Sequence, residues 1–161
     1  TFPNTKKAFL PIMCNHCEGN EADGVPPCVK VCPEYPGKRM TFTTASGEKI
    51  RYRGGATYKR PDGLVLIDAE SCIGCGKCID ACPYGVRSFN PFVEAGKAPG
   101  KMAADKCDMC KERVANGVDP SCVTTCQGRA RIFGDLHDPN GEVAQLVAEH
   151  NLADNVLLPE E

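Results

Sequence analysis

Apolar residues in this chain come in short runs bounded by glycine and proline. Met40, Phe42, Ile50 and Tyr52 alternate with polar neighbours on either side of Ala45-Ser46-Gly47-Glu48, which predicts a hairpin over 40–44 and 49–53. After Gly54–Gly55, the run Ala-Thr-Tyr-Lys, the turn Arg60-Pro61-Asp62-Gly63 and the run Leu64–Asp68 predict strand, turn, strand. Gly85–Phe89 and Arg129–Phe133 read as return strands, each behind a cysteine-bearing segment, and Ile79–Ala81 reads as a short helical turn. Asp138-Pro139 predicts the cap and first turn of a helix with Val143, Leu146, Val147 and His150 on one face. Short strands around loop–helix units make the class α+β. The 161 residues fit one domain spanning 1–161, with a hairpin inserted at 36–55 and a helix and arm at 138–161.

Composition qualifies that picture. The hydrophobic share is 42%, but it includes twelve cysteines; only 6% of residues are aromatic and tryptophan is absent. Such a chain has a thin core and needs cross-links, which the cysteines can supply through disulfides or metal. A net charge of −2 gives no reason to expect nucleic acid or an anionic membrane as partner. Locally the charge is uneven. Lys38–Arg60 holds seven Lys or Arg residues against one acid, Glu48, while Gly134–Glu161 holds seven acids and no Lys or Arg. Two faces of opposite sign suit docking to other proteins; the plainer reading is two solvated charged segments. No apolar run approaches the length of a membrane span and no signal-peptide core is visible. A cytoplasmic location is the expectation, with periplasmic export alongside a partner as the alternative. Thr1 suits either an excised initiator Met or an upstream truncation.

The cysteines fall into three groups of four: Cys14-x2-Cys17-x10-Cys28-x3-Cys32, Cys72-x2-Cys75-x2-Cys78-x3-Cys82 and Cys107-x2-Cys110-x11-Cys122-x3-Cys126. Each opens with CxxC and closes with CxxxC, an internal repeat spanning 14–32, 72–82 and 107–126. The middle group, closed by Pro83, is the C-x2-C-x2-C-x3-C-P run of bacterial ferredoxins, whose thiolates hold a [4Fe–4S] cube. Gly74 and Gly76 relieve the tight turns between ligands, backbone N–H groups in such a loop offset the cluster's negative charge, and Pro33 and Pro83 redirect the chain after the last ligand. The outer groups keep the same ends with longer loops, Glu18–Pro27 and Lys111–Ser121, which read as surface excursions. Twelve cysteines in three complete sets point to three [4Fe–4S] clusters.

Other chemistries fit less well. Disulfides need an oxidising compartment, and CxxC pairs are too local to staple distant segments. Four-cysteine zinc sites suit the spacings of the first and third groups but not CxxCxxC on one loop. Redox-active thiol pairs lack their strand–helix context. His16, inside the first CxxC, reads as a structural residue beside four sufficient cysteines. Lys77 and Arg87 flank the second motif, where solvated surface charge is the simpler reading and a raised cluster potential the alternative. No Ser–His–Asp set, phosphate loop or paired carboxylates support chemistry on an organic substrate.

The motifs with their flanks, MCNHC…PPCVKVCP, LIDAESCIGCGKCIDACPYGV and KCDMCKERVANGVDPSCVTTC…ARIFGDL, resemble the multi-cluster ferredoxin subunits that partner molybdenum and tungsten enzymes. Members serve dimethyl sulfoxide, polysulfide, tetrathionate and arsenate reductases, formate dehydrogenases and tungsten enzymes of the aldehyde oxidoreductase type, including one for benzoyl-CoA reduction. The resemblance runs from about Ile12 to Leu136. It implies a ferredoxin-like fold and a non-catalytic subunit passing single electrons to or from a larger molybdenum- or tungsten-pterin catalytic subunit, with a further donor or acceptor protein. The rival reading is a soluble polyferredoxin that diffuses between enzymes. The resemblance also implies exchanged ligands: Cys14, Cys17 and Cys28 with Cys82, and Cys72, Cys75 and Cys78 with Cys32. The chain departs from the family in having three motifs where most members have four, and in Gln127 after Cys126 where the other groups have proline. The expectation is a three-cluster variant in which Cys126 closes the set of Cys107, Cys110 and Cys122; loss of an upstream segment is the alternative.

Overall fold

A computed structural model describes residues 12–20, 22–136 and 138–152. The expected arm from 153 onward lies outside the described residues. The chain divides into two compact units. One combines the described residues up to Phe42 with Arg51–Cys107, and the other combines Thr43–Ile50 with the described residues from Asp108 onward.

The elements are short and mixed. Strands β1 (Lys38–Thr43) and β2 (Lys49–Gly54) form the expected hairpin, closed by Thr44 N–H donating to the Glu48 carbonyl at 2.9 Å. Strands β3 (Thr57–Lys59) and β4 (Val65–Ile67) pair antiparallel, with Tyr58 opposite Leu66, across a turn in which the Gly63 N–H reaches the Arg60 carbonyl. Strands β5 (Ser88–Glu94) and β6 (Met102–Asp105) make a third antiparallel pair. Its register slips between Asn90 and Glu94, where Pro91 has no N–H to give to a ladder. The expected return strand at Gly85–Phe89 thus begins at Ser88, because Gly85 is used in a turn, its N–H donating to the Cys82 carbonyl at 3.1 Å.

The helices are mostly single turns: α1 (Pro27–Lys30), α2 (Lys77–Asp80), α3 (Lys111–Ala115) and α4 (Ser121–Thr124), with α5 (Glu142–Glu149) the longest. One turn does not offset its own nucleation cost in water, so these turns depend on their surroundings. Three expectations need correcting. Lys111–Ser121, read as a loop, contains α3. Helix α5 starts at Glu142 rather than after Asp138, because the Asp138 side chain takes the Asn140 N–H at 3.0 Å and its carbonyl takes the Gly141 N–H, closing a separate turn. Arg129–Phe133 is not a strand: Arg129 is left-handed at φ 46°, and the Ala130 N–H goes to the Cys126 sulfur at 3.2 Å instead of to a neighbouring strand.

The core of the first unit is built from small residues. Cys32, Ala56, Cys72, Ala95 and Ala103 form one buried cluster, with Val29, Val65, Leu66 and Tyr58 also buried. Among the described residues of the second unit no hydrophobic side chain other than Pro120 is fully buried, so apolar packing contributes little to its stability.

Candidate metal–sulfur centres

The three cysteine groups fold by one local rule. In α1, α2 and α4 the third cysteine of the group (Cys28, Cys78, Cys122) is the second helical residue. The fourth cysteine then closes the turn: the N–H groups of Cys32, Cys82 and Cys126 donate to the carbonyls of Val29, Ile79 and Val123, each at 3.1 Å. Three residues on, Tyr35, Gly85 and Arg129 return an N–H to the carbonyl of that same cysteine, at 3.0, 3.1 and 3.0 Å. The turn after Cys126 therefore matches the others although Gln127 stands where they have proline.

The CxxC ends repeat as well. The residue before the second cysteine is left-handed in every group: His16 at φ 48°, Gly74 at φ 61° and Met109 at φ 60°. That twist wraps the backbone round the first sulfur, so the His16 N–H lies 3.5 Å from Cys14 Sγ and the Gly74 N–H 3.4 Å from Cys72 Sγ. Glycine takes this conformation freely, whereas a side chain there is strained. His16 is held in it: the residue is 8% exposed, and its Nδ1 accepts the Val65 N–H at 3.0 Å. A neutral ring that accepts at Nδ1 carries its proton on Nε2. The structural role expected of His16 fits this geometry.

Cys14, Cys17, Cys28 and Cys82 line one pocket, with Asn15, Pro27, Val65, Pro83, Tyr84, Val86 and Arg87 completing its wall. Cys82 is thus brought to the first group, across from the motif in which it lies. Electrostatics agree. Burial pushes the Cys17 thiol up, with Cys14 and Cys82 adding to the rise while its own backbone N–H and Arg87 oppose it. Burial likewise raises Cys28, opposed by Arg87 and reinforced by Cys14, Cys17 and Cys82. Cys32 leaves its own motif in the other direction: it shares the buried cluster with Cys72 and accepts the Thr57 N–H at 3.5 Å. Cys78 is buried and Cys75 exposed. In the third group Cys107 ends the first unit, and Cys110, Cys122 and Cys126 belong to the second, where Cys110 Sγ lies 3.9 Å from Ser121 Oγ.

Arg87 is not the solvated charge that its sequence position suggested. It is 4% exposed, its Nη1 reaches Thr57 Oγ1 at 3.4 Å, and among the described residues its Nη2 has no hydrogen-bond partner. The chain turns back after Cys82 and carries Arg87 inward before β5 begins, which no local pattern signals. Lys106 was also missed, although it directly precedes Cys107. Its Nζ donates to the carbonyls of Val65 and, at 2.7 Å, Cys107. Burial lowers the Lys106 pKa, Cys14 pulls it back up and Arg87 pushes it down again.

These features suit a metal–sulfur cube. A [4Fe–4S] cube is held by four thiolates around a volume, which is how the four cysteines surround this pocket. A buried guanidinium with an unpartnered nitrogen on the same wall calls for an anion, which a thiolate-ligated cube supplies. The protein is, by fold and site, a small helix-and-strand scaffold that gathers cysteines from two motifs round one pocket.

Comparison with known proteins gives the family. Residues 5–136 match the 4Fe-4S dicluster domain, and the chain belongs to that family. It is similar to a subunit of tetrathionate reductase from Salmonella typhimurium, 37% identical over 94% of this chain and 47% of that protein. It is also similar to a subunit of selenate reductase from Mesobacillus selenatarsenatis (39% identical, 92% of this chain, 50% of that protein) and to the iron-sulfur subunit of arsenate respiratory reductase from Shewanella sp. (32%, 93% and 70%). The chain spans about half the length of the first two.

Proposed function

We propose that this chain is an electron-transfer subunit that carries single electrons to or from a larger molybdenum- or tungsten-pterin catalytic subunit. The observation that carries the reading is Cys82 lining the pocket of Cys14, Cys17 and Cys28. Exchange of the fourth cysteine between paired motifs is the two-cluster ferredoxin arrangement. It supports one cube held by Cys14, Cys17, Cys28 and Cys82, and a second held by Cys72, Cys75, Cys78 and Cys32. We assign a third to Cys107, Cys110, Cys122 and Cys126, on spacing and on the repeated turn around Cys126. When bound, a cube accepts and releases one electron with the added charge spread over many atoms.

The chain's own groups prepare these sites. N–H donors reach the sulfurs of Cys14, Cys32, Cys72 and Cys126, the kind of hydrogen bond to sulfur that tunes a bound cluster. The second unit, with almost no buried apolar side chains among its described residues, is the kind of segment that metal ligation holds together.

A larger partner is supported by the relatives, which are named as subunits of reductases, and by two surface features of the first unit. Arg39, Arg51 and Arg53 line an open groove on the β1–β2 hairpin with Met40, Thr41 and Tyr52. The β5–β6 pair exposes Phe92 at 94%, along with Phe89, Val93 and Met102, an apolar surface of the kind that partners cover. Anaerobic purification of the native protein by a tag on this chain tests the proposal. A co-purifying large subunit with stoichiometric molybdenum or tungsten is expected. A lone monomer that exchanges electrons with unrelated enzymes would instead establish a diffusible carrier.

A further inference from the structure

We infer that Arg87 sets the reduction potential of the cluster held by Cys14, Cys17, Cys28 and Cys82, making it easier to reduce than it would be without that charge. The inference rests on the cluster reading above and adds to it a role for a residue outside the cysteine motifs.

A guanidinium stays protonated at any pH the protein meets, so Arg87 contributes a fixed positive charge. It is 4% exposed, and among the described residues no carboxylate pairs with it and its side-chain hydrogen bond, from Nη1, goes to the neutral hydroxyl of Thr57 at 3.4 Å. The other terminal nitrogen, Nη2, is buried and has no partner among the described residues, and Arg87 is one of the residues lining the four-cysteine pocket. A buried cation without a counter-charge is strongly destabilising, and one with an anion beside it is not. A second cation, Lys106, lies close enough to feel both Cys14 and Arg87, which increases the need for negative charge there. Lys106 directs two donors to the carbonyls of Val65 and Cys107 and also interacts with the Cys14 side chain, whereas Nη2 of Arg87 has no partner among the described residues.

Reduction adds one electron, and therefore one negative charge, to whatever the four thiolates hold. A fixed positive charge in a poorly hydrated wall favours the state with more negative charge. Removing it should lower the midpoint potential of this site, and by less that of the site of Cys32, Cys72, Cys75 and Cys78, which Arg87 approaches only through Thr57.

The test uses the full chain, purified anaerobically, with Arg87→Met and Arg87→Lys. Methionine fills similar space without leaving an unpaired charge; lysine keeps the charge. Iron, sulfide and zinc are measured first. Dithionite titration with mediators, followed by EPR, then gives each midpoint, and the signal that Cys17→Ala removes identifies the relevant cluster. Arg87→Met should lower that midpoint by at least a tenfold change in the reduction equilibrium, about 59 mV for one electron. Arg87→Lys should restore most of the shift. Iron retained with an unmoved or raised midpoint in Arg87→Met would overturn the role of Arg87 while leaving the cluster reading intact. Zinc in place of iron in the unsubstituted chain would overturn both. Cluster loss in Arg87→Met with retention in Arg87→Lys would support the charge role; loss in both would assign Arg87 to packing and overturn it.

Discussion

Cys82 is where the exchanged-ligand arrangement can be tested most sharply. Cys82 lines the pocket of Cys14, Cys17 and Cys28, while its sequence neighbours Cys72, Cys75 and Cys78 form the motif it terminates. Three cubes of four irons amount to about twelve iron per chain. Cys82→Ala leaves three thiolates at the first pocket, so iron should fall to about eight if that cube is lost. The deciding comparison is between two double variants, because substitutions within one unit fail to add and those in separate units do add. Cys17→Ala with Cys82→Ala disturbs one cube and should still leave about eight iron; Cys75→Ala with Cys82→Ala disturbs two and should leave about four. Iron and acid-labile sulfide analysis of anaerobically purified protein, with EPR of the reduced state, reads both. The reverse pattern, with Cys75 and Cys82 non-additive and Cys17 and Cys82 additive, would show that each motif closes its own cube.

Other positions give independent checks. Gly74→Ala places a Cβ 2.8 Å from Lys101 Cβ and 3.0 Å from the Met102 carbonyl, at φ 61°. Left-handed strain alone costs about 1–2 kcal/mol, so cluster bleaching should occur at lower denaturant than in the unsubstituted protein. His16→Leu leaves the buried Val65 N–H without its acceptor, a loss of about 1–3 kcal/mol, read as the same shift in bleaching midpoint; an unchanged midpoint would mean that the N–H finds another partner. Asp68 caps the turn Ala69–Ser71 that delivers Cys72, taking the Glu70 N–H at 3.2 Å and pairing with Lys38 at 2.8 Å. Asp68→Ala should cost about 1 kcal/mol. Burial works to raise the Asp68 pKa, but the Lys38 and Ser71 side chains and the Glu70 N–H together hold it below its ordinary 3.8. With the folded value depressed, the stabilisation is complete above the unfolded value and is lost as pH falls through the folded one. The cost of Asp68→Ala should therefore be the same at about pH 8 and about pH 6; a cost that shrinks over that range would place the Asp68 pKa higher.

The cysteine groups were legible because ligand spacing is a local signal: each CxxC holds one left-handed residue and each CxxxC one helical turn closed by the same hydrogen bonds. The β1–β2 and β3–β4 hairpins were legible from alternation and turn residues. The misread segments depended on contacts that their composition does not show. Arg129–Phe133 has strand-like composition, but its Arg129–Ala130 backbone is bent to the Cys126 sulfur. Met102–Asp105, with two alanines, reads as no element at all and becomes a strand by pairing with Ser88–Asn90. Arg87 and Lys106 look like ordinary surface charges in sequence, and only the course of the chain after Cys82 and after β6 brings them beside the cysteine pocket.

The most direct test of the central claim is the metal content of the full chain purified without oxygen. Three cubes require about twelve iron and about twelve acid-labile sulfide per chain, with zinc well below stoichiometric. Stoichiometric zinc with little iron would contradict the account.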